Sequence, residues 1–576
     1  MGIEGPGSIL LERLLQESDK KGFLSLPAVE RISRSLSIPA SRAYAVAAQL
    51  ECFAFSRHPG PTLDICCGPA CALAGSGGLY DDASREVAAD LGGQVERSLG
   101  SPYWHVPIMT GLDGPGGRRF FQNLKPGGIS ALRSLAKGDG DHRTRPLATG
   151  IEAREQVLCM KGERVATAHK GKAVRGVSEF LRGEGRKLAR FLSENDSDAI
   201  RRMIRDSRLK NSMSSGELAG DIAQIPRTAS DARLVVCDIG GIEPENSPGP
   251  TLAAMDPLGV ATGVIIAARA VEATRALVAV PHEDVELVKL FTRVIIGLNK
   301  HCEFSGVEFE LFRVPNFIPC DREIGIASLF RGLTFSEGVS RARDYKYLPW
   351  GSHAIVSEPE VFLKLSWMAS SGARAYRARK GGGTAMVSIG GSVKRPVLAE
   401  VPLGTSLTEL LEVYAGGLLK GADLKAIHFG GVFGGPLRRG ARRSSLGNLL
   451  EKYPEAGSGQ ILAIERSTCM VEWSRYLARL AERMCCGACA PGRIGPTYVS
   501  RLLDRISTGD TDPADLEEID ATISLIRETS LCVQGEKILN PVRICLENFS
   551  KEFREHIEDK KCDAGVCRFQ TEGPGP

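Results

Sequence analysis

The stretch that most restricts what this chain can build is Cys485-Cys486-Gly-Ala-Cys489-Ala-Pro-Gly492-Arg493-Ile-Gly495. It is answered further on by Cys532 in Thr529-Ser-Leu-Cys-Val-Gln-Gly535. Thiols at C-x-x-C spacing, followed by small and conformationally loose residues, let a backbone wrap closely around a compact ion or cluster. A later cysteine at a helix end can close the cage, and thiolates favour soft metals and iron–sulfur clusters over hard ions. The same residues also admit a plainer reading, as buried thiols that pack like small hydrophobes.

The flanking pattern is helical. Trp473, Tyr476, Leu477, Leu480 and Met484 mark one helix face, and Tyr498, Leu502, Leu503 and Ile506 mark a second. A third helix is expected from Asp512-Pro513 through Leu516, Ile519, Ile523 and Ile526. A fourth is expected from Asn540-Pro541 through Leu546, Phe549, Phe553 and Ile557. Four amphipathic helices with short connections predict a bundle with cysteines at its helix ends.

On these residues the chain resembles the NADH-binding flavoprotein subunit of respiratory complex I. That subunit type also serves NAD-dependent hydrogenases and formate dehydrogenases. The shared order is C-G-x-C-x-P-x-R-x-G, a helical hairpin, then T-x-x-C-x-x-G. The resemblance implies a [4Fe–4S] cluster ligated by Cys486, Cys489 and Cys532, with the third family cysteine replaced by Gly492. A [3Fe–4S] cluster is the other form that three thiolates allow. Adjacent residues seldom point at one centre, so Cys485 is not counted as the substitute.

The chain has 576 residues, 43% hydrophobic and 25% charged, which suits an ordinary multidomain protein with ample core. A net charge of +4 predicts no nucleic-acid partner, and Arg438-Arg439-Gly-Ala-Arg442-Arg443 reads as a solvated loop. The N-terminal residues lack a signal-peptide pattern, and no apolar run approaches the roughly 20 residues of a membrane span. Sixteen cysteines without a secretion signal predict reduced thiols, and hence a cytoplasmic protein with no direct membrane insertion.

Taken in order, the chain opens with helical stripes at Leu10, Leu11, Leu14 and Leu15, then Ala28, Val29, Ile32 and Leu36. A strand, Thr62–Cys66, enters Cys66-Cys-Gly-Pro-Ala-Cys71. Strand, C-x4-C loop and helix resemble the thioredoxin-like [2Fe–2S] subunit that partners the flavoprotein, with Cys66 and Cys71 as ligands. The second ligand loop of that subunit is C-L-G-x-C, and here it reads Ser98-Leu-Gly-Ser101-Pro102. Serine stays protonated where cysteine becomes a thiolate, so loss of the [2Fe–2S] cluster is expected. The glycine-rich stretch 110–150 reads as the end of this domain and a linker.

Strands at Leu234–Cys237 and Ala276–Val280, with a core helix over Val264–Val271, predict a parallel, Rossmann-like α/β domain. The resemblance implies FMN and NAD here, contacted by Ser207, Gly216, Glu243, Arg313 and Glu323. The glycine-rich FMN loop of the family is replaced by Ser207-Arg-Leu-Lys-Asn211-Ser-Met213-Ser214-Ser-Gly216-Glu217. The NADH segment becomes Arg313-Val-Pro-Asn-Phe-Ile-Pro-Cys320-Asp-Arg322-Glu323, without its glycines. Backbone amides that approach a phosphate closely need glycine, so both sites are expected to be lost. Residues 384–431 alternate as hairpin, capped helix (Ser406-Leu-Thr-Glu409) and strand, resembling a β-grasp, soluble-ligand-binding module.

The fold class expected is therefore α/β multidomain. A helical hairpin plus thioredoxin-like domain spans 1–140, a flavoprotein-like α/β domain 141–375, a β-grasp module 376–437 and a four-helix bundle 438–576. The function expected is a diverged NADH-dehydrogenase subunit, non-catalytic or carrying a single cluster within a larger redox complex. An active NADH:acceptor oxidoreductase using FMN and iron–sulfur clusters is the second reading, and a β-grasp ligand- or partner-binding protein the third.

Overall fold

The structure, a computed structural model, describes residues 6–56, 62–91, 94–98, 110–114, 117–121, 158–159, 164–168, 176–210, 216–226, 233–241, 247–301, 305–341, 349–456 and 458–569. Helices Pro6–Lys21, Leu26–Ser35 and Ala40–Ala48 bury the predicted stripes, with Leu11, Leu14, Leu15 and Ala28 wholly enclosed. The first sheet follows. In it β1 (Thr62–Cys66) pairs in parallel with β2 (Gln94–Ser98) and antiparallel with β3 (Thr110–Gly114), which turns back as β4 (Gly117–Phe121). The glycine-rich stretch after 110 thus begins as a hairpin of this sheet.

Short β5 (Leu158–Cys159) precedes an all-parallel sheet of β6 (Arg233–Asp238), β7 (Arg275–Pro281), β8 (Glu308–Val314) and β9 (His353–Ser357), in the order β8-β7-β6-β9. Every residue of β6 is buried, as a strand covered on both faces requires. The Pro257–Val271 helix starts where Asp256 accepts a 2.8 Å bond from Gly259 N, and it is apolar almost all round. A Cβ on Gly263 would stand 1.8 Å from Phe362 O, so glycine is what lets this helix seat against Pro359–Ser371. Together with Gly249–Met255 it forms a bent pair apolar enough to pass for a membrane span. Both helices are nevertheless buried in the core, and no single helix among the described residues is long and apolar enough to cross a membrane.

The N-terminal helices dock on this domain, sharing one core with Phe312, Phe330 and Trp350. Polar contacts fix the register. Arg313 bridges Glu12 at 2.9 Å and Asp19 at 3.0 Å, and Arg42 meets Glu337 at 2.9 Å.

The third sheet runs β13-β12-β14-β10-β11-β5. Its members are β10 (Thr384–Gly391), β11 (Val397–Pro402), β12 (Leu424–Phe429), β13 (Gly435–Arg438) and β14 (Gln460–Glu465). Ser406 Oγ accepts from Glu409 N at 3.2 Å, the expected cap, and the helix then widens into a π-turn over Leu410–Tyr414. The sequence pattern ends this module at 437, but β14 lies inside the sheet between β10 and β12. The alternation in Gln460-Ile-Leu-Ala-Ile-Glu465 is the signal for it.

Helices Met470–Met484, Ala490–Thr508, Asp515–Thr529 and Asn540–Glu558 form the bundle around Trp473, Leu477, Leu503, Ile523 and Phe553. Two predicted caps shift. Asp512-Pro513 makes the turn before the third helix, with Asp512 N bonded to Asp515 Oδ2 at 3.0 Å. Asn540 is itself the first residue of the fourth.

Candidate metal centres

Cys485 ends the Met470–Met484 helix in an extended conformation (φ −92°, ψ 126°), and Gly487 at φ +71° then reverses the chain. Left-handed backbone of that kind favours glycine. Arg493 from the next helix donates to Gly487 O at 2.9 Å and holds the loop. Cys489 stands just before the Ala490–Thr508 helix, and Cys532 receives the amide of Gly535 at 3.4 Å. Cys486 and Cys532 both pack against the core shared with the α/β domain, where Cys320 is buried.

A hydrogen bond from Cys320 lowers the Cys486 thiol to about 7 against the opposing effect of burial, with the Ala488 amide assisting. The Cys320 thiol is itself raised by that bond and by burial. Cys486 is thereby poised as a thiolate, the form that binds metal. Burial pushes Cys532 up to about 12, so a soft cation would have to displace its proton. The donor set fits an iron–sulfur cluster, which when bound would supply one-electron transfer. Cys320 is legible as a retained cysteine, but its meeting with Cys486 depends on how the bundle docks.

Two glycines that look like cluster requirements have another explanation. A Cβ on Gly495 would come within 2.2 Å of Ile526 Cδ1, and one on Gly535 within 2.7 Å of Ser530 Oγ. Bundle packing alone gives a reason for a small residue at each.

A second centre lies beyond what the sequence pattern predicts. Cys469, His556, Cys562 and Cys567 place one donor atom each, all within 4.8 Å of one another, at the far end of the bundle. Cys469 Sγ is 3.3 Å from His556 Nε2 and 3.6 Å from Cys567 Sγ. His556 Nδ1 lies 2.7 Å from Glu552 O, an arrangement that orients Nε2 toward the thiols. Hydrogen bonding from Cys567, then from His556, lowers the Cys469 thiol. Burial alone would depress His556, but its bonding to Cys469 holds it higher, at about 9. Tetrahedral zinc with bonds of ~2.3 Å to sulfur sets its donors about 3.8 Å apart, so this Cys3His group is sized for a single ion such as zinc. The H-x5-C-x4-C spacing is visible in the sequence, but its fourth member, Cys469, is distant along the chain.

The candidate nucleotide residues scatter. Ser207 is buried and turns the chain locally, donating to Ile204 O at 2.6 Å and accepting from Leu209 N at 3.1 Å. Gly216 is exposed, Arg313 is engaged by Glu12 and Asp19, and Glu243 lies outside the described residues, as do Asn211, Met213 and Ser214. Across the C-terminal ends of β6, β7 and β8 runs Arg322, buried, with Nε 2.8 Å and Nη2 2.9 Å from the two oxygens of Asp238. Its Nη1 reaches Asn316 O at 3.1 Å, and a Cβ on Gly240 would stand 2.3 Å from Nη2. Glu358 is also buried at this edge.

Glu323 receives the Trp350 indole N–H at 3.3 Å, yet burial, reinforced by Asp321, pushes its carboxyl up to about 7. The folded state then holds a proton that the unfolded chain releases. Stability should fall as pH rises from about 4.5 to about 7 and level off above. Glu323→Gln is expected to flatten that decline and to exceed the wild type at pH 8 by up to about 3 kcal/mol. Urea titrations at pH 5 and pH 8 check this, and parallel profiles for the two proteins would count against it.

Cys66 and Cys71 are buried at the β1 end, and the strand register sets Cys66 beside Ser98. Pro102 lies outside the described residues. Tyr476 donates to Cys67 O at 2.8 Å, which ties this loop to the bundle.

A parallel α/β domain is joined to a cysteine-bearing helical bundle, and known proteins share that arrangement. Residues 472–556 match the family described as the NADH-ubiquinone oxidoreductase-F iron-sulfur binding region, which takes in Cys485, Cys486, Cys489 and Cys532. The NADP-reducing hydrogenase subunit HndC of Solidesulfovibrio fructosivorans is 26% identical over 352 residues, 59% of this chain and 71% of the relative. The F 2 subunit of NADH-quinone oxidoreductase from Rhizobium meliloti (strain 1021) is 25% identical over 401 residues, 67% and 95% respectively. In fold, the chain superposes on a chain of an NAD+-reducing [NiFe]-hydrogenase with TM-score 0.75 at 18% identity, covering 96% of this chain and 94% of the other. The resemblance to the NADH-binding subunit is borne out, and the chain is related to electron-transfer subunits of NADH-dehydrogenase type.

Proposed function

We propose that this chain is a diverged subunit of that type, one that keeps an iron–sulfur cluster in its bundle and has given up nucleotide chemistry in its α/β domain. Parallel sheets of this kind receive ligands in the crevice beyond the carboxyl ends of their strands. The observation that carries the reading is Arg322, paired with Asp238 and lying across that crevice. A bidentate guanidinium–carboxylate pair fills space and satisfies donors that a flavin or phosphate would otherwise meet. Cys486, Cys489 and Cys532 would hold the cluster, Arg493 would fix their loop, and Cys320 would supply a hydrogen bond to Cys486. The first sheet, whose register sets Cys66 opposite Ser98, is read as a thioredoxin-like remnant without [2Fe–2S]. Partners would be further subunits of a cytoplasmic redox complex, since the relatives are themselves subunits.

The purified chain is expected to carry no stoichiometric FMN and not to reduce an artificial acceptor with NADH. A flavin spectrum amounting to one per chain would overturn this. The names of the relatives favour the second reading, an active NADH oxidoreductase, and the same spectrum decides between them.

A further inference from the structure

Resting on the reading of a cluster in the bundle, we infer that Cys485 supplies its fourth thiolate, taking the corner left open at Gly492. A Cβ on Gly492 would stand 3.3 Å from Cys489 Sγ and 3.8 Å from Cys485 Sγ. The bare backbone at 492 therefore faces a thiol from a different part of the loop, in the space a side chain from 492 would enter. Cys485 and Cys486 are neighbours in sequence, but the extended backbone at Cys485 sends them to opposite sides. Cys486 packs toward the α/β core with Cys532, and Cys485 toward the bundle. The two thiols thus leave the loop in different directions, Cys485 on the side where Gly492 and Cys489 lie.

Cys320 is the competing candidate, and its position argues against it. It is hydrogen-bonded to Cys486, a corner already taken, so it serves as a partner to that ligand. Spacing also sets this centre apart from the Cys3His group. Among the described residues, only that group brings three or more donor atoms within 4.8 Å of one another. The thiols around Gly492 are more widely set, as ligands to separate irons of a cluster must be.

The test uses the full chain, reconstituted anaerobically with iron and sulfide, with folding followed by circular dichroism. The wild type is expected to hold four irons. Cys485→Ala should hold three and, when oxidised, show the paramagnetic signal of a [3Fe–4S] centre. Cys320→Ala should keep four. Gly492→Cys added to Cys485→Ala should restore the fourth iron, a rescue that a merely packed Cys485 would not give. Four irons retained in Cys485→Ala, or loss of one in Cys320→Ala instead, overturns the assignment of Cys485. A wild type without iron overturns the cluster reading itself.

Discussion

Cys489→Ala is expected to abolish stable cluster binding, reducing bound iron at least tenfold and lowering the melting temperature of the bundle. Cys489 stands at the junction between loop and helix, beside both Gly492 and Cys485. Its loss would remove the thiol fixed by the start of the Ala490–Thr508 helix. Metal affinity that depends on folded ligands is returned as folding free energy, so iron and stability should fall together. If the thiols only pack, the variant should lose no more than the small transfer term of one sulfur atom and melt close to the wild type. Iron content and melting curves from one preparation separate the two outcomes.

Arg322→Ala is expected to destabilise the α/β domain by about 3–5 kcal/mol, because it leaves Asp238 charged and buried without its partner. Replacing both, as Arg322→Met with Asp238→Leu, should cost far less, since an apolar pair of similar volume requires no desolvation of charge. Urea unfolding of the two variants measures the difference. A single variant losing under about 1 kcal/mol would mean that the pair is solvated, and the crevice then open.

Periodicity makes the bundle legible. Trp473, Leu477, Leu480 and Met484 fall on one face of an amphipathic helix, and the helix forms with that face buried. The continuous apolar runs of β6 and β7 are legible for the same reason, because strands buried on both faces must be apolar throughout. Strand β14 is less so: its neighbours in the sheet are remote in sequence, and only the fold discloses them.

At the metal centres, local spacing identifies Cys486, Cys489 and Cys532, but contacts across the chain do the rest. Cys320 arrives from the loop after β8, and Cys469, remote in sequence, meets His556 at the other end of the bundle. The part played by Arg322 cannot be read from sequence at all. An arginine one residue after a helix cap is ordinary there, and its meaning comes from Asp238 at the end of another strand.

Cofactor content of the chain purified without oxygen tests most directly whether a cluster persists where nucleotide chemistry has gone. Iron, acid-labile sulfide and flavin determined on one sample should give four irons and four sulfides per chain with no stoichiometric flavin. One FMN per chain, or no iron and sulfide after reconstitution, would contradict that reading.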